Sequence, residues 1–332
     1  MASMPIVLAC GADDDFAMPL AVTLFSALTN LEKGTETVVY ILDGGIGAAN
    51  QRKIERVLRG VEGIELSIHW ARPNLSQFQD LPLKTVLSGA MYLRLALPEI
   101  VSEDFDQVLY LDSDIIVQAN LLELWRQETH GCALLAVRDY GMPYVSSPNC
   151  GLSKPYGSLG LEPDTAYFNS GVLLLDLRVW RAGHLVPAAF EFLHSHRDVL
   201  EAPDQDSLNA VVVGNWGQLD LRWNVQVLAL FILEELPGSP FRDELRAKRK
   251  WLEHNAFILH FIGNPKPWQT GLRQGFGPLW VHYLRRSGWY SPVEYWRWYL
   301  RWLKDFVVGC FVRFYLHDVV RAWERLKSGG DL

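Results

Sequence analysis

A chain of 332 residues, 49% of them hydrophobic, can bury one large core and is not a disordered protein. Its net charge of −7 gives no basic footprint for nucleic acid, and neither an RNA-binding signature nor a cysteine–histidine finger is present. Cys10, Cys132, Cys150 and Cys310 lack C-x-x-C spacing, the N-terminus lacks the charged-then-apolar pattern of a secretory signal, and no stretch reaches the ~20 apolar residues that cross a bilayer. The expected setting is therefore a reducing cytoplasm, with any membrane contact peripheral.

In chain order, Ile6-Val7-Leu8-Ala9 reads as a buried strand, and the polar segment from Gly11 to Asp15 leads into helical spacing from Phe16 to Leu28. Val38 to Leu42 is a second strand, closed by Asp43-Gly44-Gly45. Ala48 to Leu58 has helical spacing, and Ile64 to Trp70 is a third strand. Strands alternating with helices predict an α/β fold, with a largely parallel sheet covered on both faces. Ligands of such sheets gather at the carboxyl ends of the strands, where the loop at Asp13 falls.

Val108-Leu109-Tyr110 and Ile115-Ile116-Val117 are apolar runs on either side of Leu111-Asp112-Ser113-Asp114. The segment from Tyr140 to Pro163, crowded with Gly, Pro and Ser, reads as a long loop, functional or disordered. Tyr167-Phe168-Asn169-Ser170-Gly171 precedes the apolar run Val172 to Leu175, and a helical region begins at Trp180. Ala256 to Phe261 is a late strand, followed by Gly263-Asn264-Pro265-Lys266-Pro267-Trp268.

From Pro292 the composition turns to Trp, Tyr, Phe and Arg, among them Tyr295, Trp296, Trp298, Tyr299, Trp302, Phe306, Phe311, Phe314 and Tyr315. Arg297, Arg301 and Lys304 stand at i, i+4 and i+7, on one side of a helix. Two readings stay open for this tail: an interfacial anchor, or a helix packed on the domain or in a dimer. Gly309 would weaken a helix in either case. The expected division is a main domain over 4–290 and a C-terminal helical extension over 291–332.

The pattern D-x-D occurs four times, as Asp13/Asp15, Asp104/Asp106, Asp112/Asp114 and Asp204/Asp206. Only Asp112/Asp114 is framed by β-branched and aromatic residues on both sides; Asp104/Asp106 follows Ser102-Glu103 and reads as a solvated turn. Two carboxylates at the end of a buried strand are costly unless a cation lies between them. With strand geometry at i and i+2, both side chains face one way and offer hard oxygen ligands to Mn²⁺ or Mg²⁺ beside a nucleotide diphosphate. A structural carboxylate pair is the alternative.

At this point the chain resembles glycosyltransferase family 8, the retaining GT-A enzymes that include bacterial lipooligosaccharide galactosyltransferases and glycogenin. The likeness runs from about Ile6 to Trp268. Its carriers are Ala12-Asp13-Asp14-Asp15-Phe16, Tyr92-Leu93-Arg94-Leu95, Leu109 to Asp114, Tyr167 to Val172, Asp204-Gln205-Asp206, and His260-Phe261-Ile262-Gly263 with Lys266-Pro267-Trp268. The resemblance implies a GT-A, Rossmann-like mixed and mostly parallel sheet with helices on both faces, followed by the aromatic and basic tail.

It further implies His260 as third metal ligand beside Asp112 and Asp114, with Mn²⁺ as cofactor and Mg²⁺ as the alternative ion. Without the motif that follows it, His260 would read as a core histidine. Arg94, Lys266, Gly263 and Ser113 fall at positions that hold a UDP-sugar donor, and a guanidinium suits two parallel bonds to phosphate or sugar oxygens. The alternative for Arg94 is a surface ion pair. The loop with Asp13, Asp15 and Phe16 would receive the nucleoside, Phe16 stacking on uracil; alternatively Asp15 caps the helix that starts there. Bacterial galactosyltransferases more often show Asn and Tyr where this chain has Asp15 and Phe16.

Asn169, Asp204, Gln205 and Asp139 match family positions around the transferred hexose, galactose or glucose. A retaining reaction invites a carboxylate nucleophile, yet the residue at that position is Gln205, whose amide is neither base nor good nucleophile. The expectation is a front-side substitution, with Gln205 stabilising the oxocarbenium-like centre through its carbonyl. The implied acceptor is a glycolipid, an oligosaccharide or a protein side chain. Two other classes share some of these features: a metal-dependent nucleotidyltransferase, which should carry a Gly-rich basic loop where Ala9 to Phe16 is acidic, and a non-catalytic sugar-nucleotide-binding scaffold.

Overall fold

The computed structural model describes residues 4–72, 89–270 and 276–304. Its main sheet has seven strands in the order β3-β2-β1-β4-β7-β6-β8. These are β1 (Ile6–Ala12), β2 (Glu36–Asp43), β3 (Glu65–Ala71), β4 (Gln107–Leu111), β6 (Leu134–Arg138), β7 (Phe168–Asp176) and β8 (Trp216–Gln218). A smaller sheet sets β5 (Ile115–Val117), β10 (Ile258–His260) and β9 (Val225–Gln226) in the order β5-β10-β9. Within the large sheet, four of the six pairings are parallel, and β7 alone runs against its neighbours β4 and β6.

The continuous apolar runs of β1, β2 and β4 are buried almost throughout, as strands covered on both faces must be. β3 closes one edge, and its burial alternates residue by residue because only one face is covered. The helix Ala17–Thr29 is buried nearly all round, and two of its polar side chains, with that of Asn30 just beyond its end, finish the unpaired edge of β5. The Thr23 hydroxyl donates to the Ile115 carbonyl (2.8 Å) and accepts the Ile115 N–H (3.1 Å), Ser26 Oγ accepts the Val117 N–H (2.9 Å), and Asn30 Nδ2 donates to the Val117 carbonyl (3.0 Å). A strand edge that would otherwise bury bare backbone groups is satisfied by side chains.

One expectation needs correction, and one is narrowed. Asp112 and Asp114 do not lie in a strand: β4 ends at Leu111, and residues 112–114 form the turn by which the chain leaves the large sheet for β5 in the small one. The turn is pinned where the Asp112 N–H donates to the Gly171 carbonyl (2.8 Å) on β7. The segment from Tyr140 to Pro163 is a long loop as expected, but of its two alternatives the disordered one falls. It buries Tyr140, Val145, Cys150 and Leu152, forms a 3₁₀ turn over Gly151–Ser153, and pairs Tyr144 with Ala166.

The helical stretch 292–304 packs inward through a ladder of rings. Trp268, Trp280, Trp298 and Trp302 lie 5.2–6.3 Å from one to the next, Tyr295 and Trp302 are buried, and Trp302 Nε1 donates to the Pro267 carbonyl (2.8 Å). Arg56 Nη2, on the helix Ala48–Arg59, donates to the carbonyls of Gly288 and Trp289 (3.1 Å each) at the approach to this stretch. Its opposite face leaves Val293, Trp296, Arg297, Leu300, Arg301 and Lys304 exposed. Gly309 and the aromatic residues from Phe306 onward lie outside the described residues. Among the described residues no helix is long and apolar enough to cross a membrane.

Candidate active site

Because β1 and β4 run parallel while β7 runs against them, the ends of β1 and β4 and the start of β7 share one edge of the sheet. The pairing of Leu111 with Val172 puts the turn at Asp112 directly beside Asn169, Ser170 and Gly171. β10 brings His260 to the same place, paired with Ile115. His260 Nε2 stands 3.6 Å from Asp112 Oδ2 and 3.1 Å from Asp114 Oδ1, and one ligand atom from each of the three residues lies within 4.8 Å of the others. Gly171 makes this approach feasible: a Cβ there would sit 2.2 Å from His260 Cε1 and 2.9 Å from Asp112 Oδ2.

Arg94, buried on the 3₁₀ stretch Gly89–Ala96, joins the acids from below. Its Nη2 lies 2.8 Å from Asp112 Oδ1, its Nε 3.1 Å from Asp204 Oδ2, and its Nη1 donates to the Ser170 carbonyl (2.8 Å). The guanidinium also rests on the Tyr110 ring at 4.8 Å, while the Tyr110 hydroxyl donates to Asp112 Oδ1 (2.8 Å). Arg94 is thus no surface ion pair. Lys266 donates to Asp114 Oδ2 and to the Phe261 carbonyl (2.7 Å), from a loop that turns at Gly263. Burial opposes ionisation of Asp114, but the Lys266 ammonium and then His260 outweigh it and hold the carboxyl well below the usual carboxylate range.

Three carboxylates, Asp112, Asp114 and Asp204, therefore share two fixed cations, Arg94 and Lys266. Burial raises the Asp204 carboxyl above its ordinary value although Arg94 pulls it down. A buried cluster short of positive charge, with two oxygens and one imidazole nitrogen converging, fits a divalent cation.

Beside it lies a network of amides. Gln205 Oε1 accepts the Ser170 N–H (2.9 Å) and Asn169 Nδ2 (3.2 Å), while Gln205 Nε2 donates to Asp139 Oδ2 (3.2 Å). Asp139 Oδ2 also accepts Asn169 Nδ2 (3.0 Å), and its Oδ1 accepts the Met142 N–H (2.7 Å). The Gln205 carbonyl is held by these donors in the wall of the site.

At the end of β1, Asp13 Oδ1 accepts the Phe16 N–H (3.1 Å), so the helix-entry role expected of Asp15 belongs to Asp13, and Asp15 is exposed. Asp14 Oδ1, which the sequence did not single out, ties this loop to Gly47 N (2.7 Å) and Asn50 Nδ2 (2.9 Å). Phe16 meets Trp268 edge to face at 5.6 Å, which brings the Asp13 loop and the Lys266 loop together. Ser113 is half-buried in the turn between the two acids.

The other D-x-D pairs separate cleanly. Asp104 accepts the Ser102 hydroxyl (2.9 Å) in an exposed turn. Asp204 and Asp206 lie on the helix Pro203–Val211, where i and i+2 diverge: Asp204 faces Arg94, and Asp206 accepts the Tyr167 hydroxyl (2.7 Å). Sequence reading missed Asn224, whose Oδ1 is 3.0 Å from His260 Nδ1. The available signal was two amides, Asn224 and Gln226, set in the otherwise apolar run Trp223 to Val227.

Known proteins share this fold. The structure of the galactosyltransferase LgtC in complex with donor and acceptor sugar analogues superposes with a TM-score of 0.70 at 26% identity, covering 88% of this chain and 99% of that one. The fold is that of a GT-A glycosyltransferase, a mixed, mostly parallel sheet between layers of helices. Residues 7–271 match the sequence profile described as Glycosyl transferase family 8, and the chain belongs to that family.

General stress protein A of Bacillus subtilis (strain 168) is 25% identical over 281 residues, 84% of this chain and 92% of that protein. Lipopolysaccharide 1,2-glucosyltransferase of Escherichia coli (strain K12) is 29% identical over 219 residues, 66% of this chain and 61% of its own length.

Proposed function

We propose that this glycosyltransferase moves a hexose, galactose or glucose, from a UDP-sugar to an acceptor hydroxyl with retention of anomeric configuration. The observation that carries the reading is the convergence of Asp112, Asp114 and His260 at the carboxyl edge of the sheet, beside the Asn169–Gln205–Asp139 network. Those three side chains would hold Mn²⁺, with Mg²⁺ as the alternative. A divalent ion there supplies Lewis-acid neutralisation of the diphosphate leaving group, worth several kcal/mol.

The chain's own groups do the rest. Lys266, on its short loop, is within reach of the metal pocket and offers an ammonium to the departing phosphate oxygens. Arg94 holds Asp112 and Asp204 in register, which fixes the floor on which the sugar rests. Asp139 and Asn169, locked by hydrogen bonds, face the hexose hydroxyls. Gln205 holds the backbone of Ser170 and orients Asp139. With an amide at this position, Asp204 bound to Arg94 and Asp139 hydrogen-bonded to Asn169 and Gln205, no free carboxylate among the described residues of the site is offered as a covalent nucleophile. The acceptor hydroxyl then attacks from the face that the diphosphate leaves, and a diphosphate oxygen takes its proton. The nucleoside would lie against the loop of Asp13, Asp15 and Phe16.

A glycan or glycolipid acceptor agrees with the names of the relatives, one a lipopolysaccharide glucosyltransferase and one a galactosyltransferase bound to acceptor and donor analogues. The stretch from 291 onward acts, on this reading, as an extension whose exposed Trp296, Arg297 and Arg301 meet an anionic membrane surface, so that the enzyme works peripherally at the cytoplasmic face.

The test is UDP release from a panel of nucleotide sugars with and without Mn²⁺. Turnover of UDP-galactose or UDP-glucose that needs the ion is expected, and Asp114→Asn should lower kcat by ~10³ with the fold intact by circular dichroism. Near-normal turnover of that variant would remove the metal from the mechanism. Tight UDP binding without turnover of any sugar would instead favour a scaffold.

A further inference from the structure

We infer that Asn224, fully buried, is a positioning residue that fixes which ring nitrogen of His260 is presented to the acids. The inference rests on the metal-site reading above for its purpose, but not for its geometry. Its starting point is Asn169, whose Oδ1 accepts the Gly171 backbone N–H at 3.1 Å. A backbone N–H only donates, so that atom of Asn169 is its oxygen. The same oxygen lies 2.9 Å from Asn224, which must therefore turn its NH₂ toward it. The amide plane then leaves the Asn224 carbonyl facing His260 Nδ1 at 3.0 Å. A carbonyl only accepts, so Nδ1 carries a hydrogen, whether or not Nε2 carries one toward the Asp114 Oδ1 and Asp112 Oδ2 at which it is directed.

The consequence is a relay that starts at one carboxylate, Asp139, and runs from there through amides alone. Asp139 orders Asn169 and Gln205, Asn169 orders Asn224, and Asn224 orders the imidazole, so the sugar side and the metal side of the site are set by one chain of amides. A hydrogen bond to the outer nitrogen of a ligating histidine fixes its tautomer and ring orientation, and losing it typically costs 10–100-fold in metal affinity.

The test uses the full-length protein, free of metal, with ¹⁵N-labelled histidine. Long-range ¹H–¹⁵N spectra should report a hydrogen on Nδ1 of His260 in the wild type. Asn224→Ala should shift the population toward Nε2–H, and Mn²⁺ alone, followed by electron paramagnetic resonance, should bind at least tenfold more weakly. Asn224→Asp keeps an acceptor beside Nδ1 and should restore the Nδ1–H form.

A wild-type spectrum showing no hydrogen on Nδ1 would overturn the inference, even if Asn224→Ala failed to fold. Unchanged tautomer and unchanged Mn²⁺ affinity in a folded Asn224→Ala protein would do the same. Should the wild type bind no Mn²⁺, the metal reading fails by itself, and the tautomer measurement still judges Asn224.

Discussion

Gly171 shows how much one hydrogen atom in place of a methyl matters. Its Cα carries nothing that would meet His260 Cε1 at 2.2 Å or Asp112 Oδ2 at 2.9 Å, and those two groups are buried or nearly so. Gly171→Ala must push imidazole and carboxylate apart, and overpacking of this kind costs about 1–3 kcal/mol. The expected result is a folded protein whose midpoint in urea falls and whose affinity for Mn²⁺ drops at least tenfold; an unshifted Mn²⁺ titration would show that the site yields without cost. At this scale the sequence was informative where chemistry is carried by charge: Asp112, Asp114, Arg94, His260 and Lys266 were picked out and do meet. It did not single out Asn224 or Asp14, because the partners that give them meaning, His260 for the amide and Gly47 and Asn50 for the acid, are distant in the chain. The occupied Gln205 carbonyl was illegible for the same reason, since the Ser170 N–H that occupies it belongs to another element.

Elements decide what the same spacing means. The pair Asp204/Asp206 is divided by helical geometry, and Asp206 is driven into a buried niche under Gly151, where a Cβ would lie 2.1 Å from its Oδ2. Burial lifts its carboxyl to about 6 from the ordinary 3.8, although the Tyr167 hydroxyl and the Ala202 and Glu201 N–H groups pull it down. A carboxyl raised in the folded state is held protonated more tightly than in the unfolded chain. Its contribution is therefore favourable at low pH and is lost as pH climbs through the window from about 4 to 6, a change on the order of 3 kcal/mol for a shift of this size. Asp114 has the opposite sign, its contribution being present above the ordinary carboxylate range and lost only below it. Asp206→Asn should flatten the fall in urea-unfolding free energy between pH 4 and pH 6.5; a slope identical to wild type would contradict the assignment.

Element type was legible for Ile6, Val38 and their helices, whose periodicity is local. The direction of β7 and the break of β4 at Leu111 were not, because both follow from pairing between segments some 60 residues apart in the chain.

For the whole molecule, the outward face of the C-terminal helix carries Val293, Trp296 and Leu300, 53–62% exposed, interleaved with Arg297, Arg301 and Lys304. The sequence offered two roles for this segment, packing and surface binding; Tyr295, Trp298 and Trp302 point inward and take the first, and the basic residues point outward. A basic side chain near an anionic bilayer is worth about 1 kcal/mol, so Arg297→Glu with Arg301→Glu should lower partitioning onto phosphatidylserine vesicles by more than tenfold. Turnover with a water-soluble acceptor should be unaffected. Equal sedimentation of variant and wild type would leave this face without a membrane role.

The indole of Trp302 bonded to the carbonyl of Pro267 has a practical consequence for anyone shortening this protein. Pro267 is the residue after Lys266, and Trp268 beyond it leans on Trp280, which leans on Trp298. Deleting the chain from 292 onward to make a tidier enzyme would take the indole donor from the Pro267 carbonyl beside the lysine and uncover Trp280. A truncated protein that turned over slowly would then say nothing about where the intact one resides in the cell. Point changes on the outward side, which leave the ring ladder seated, keep location and catalysis as separate questions.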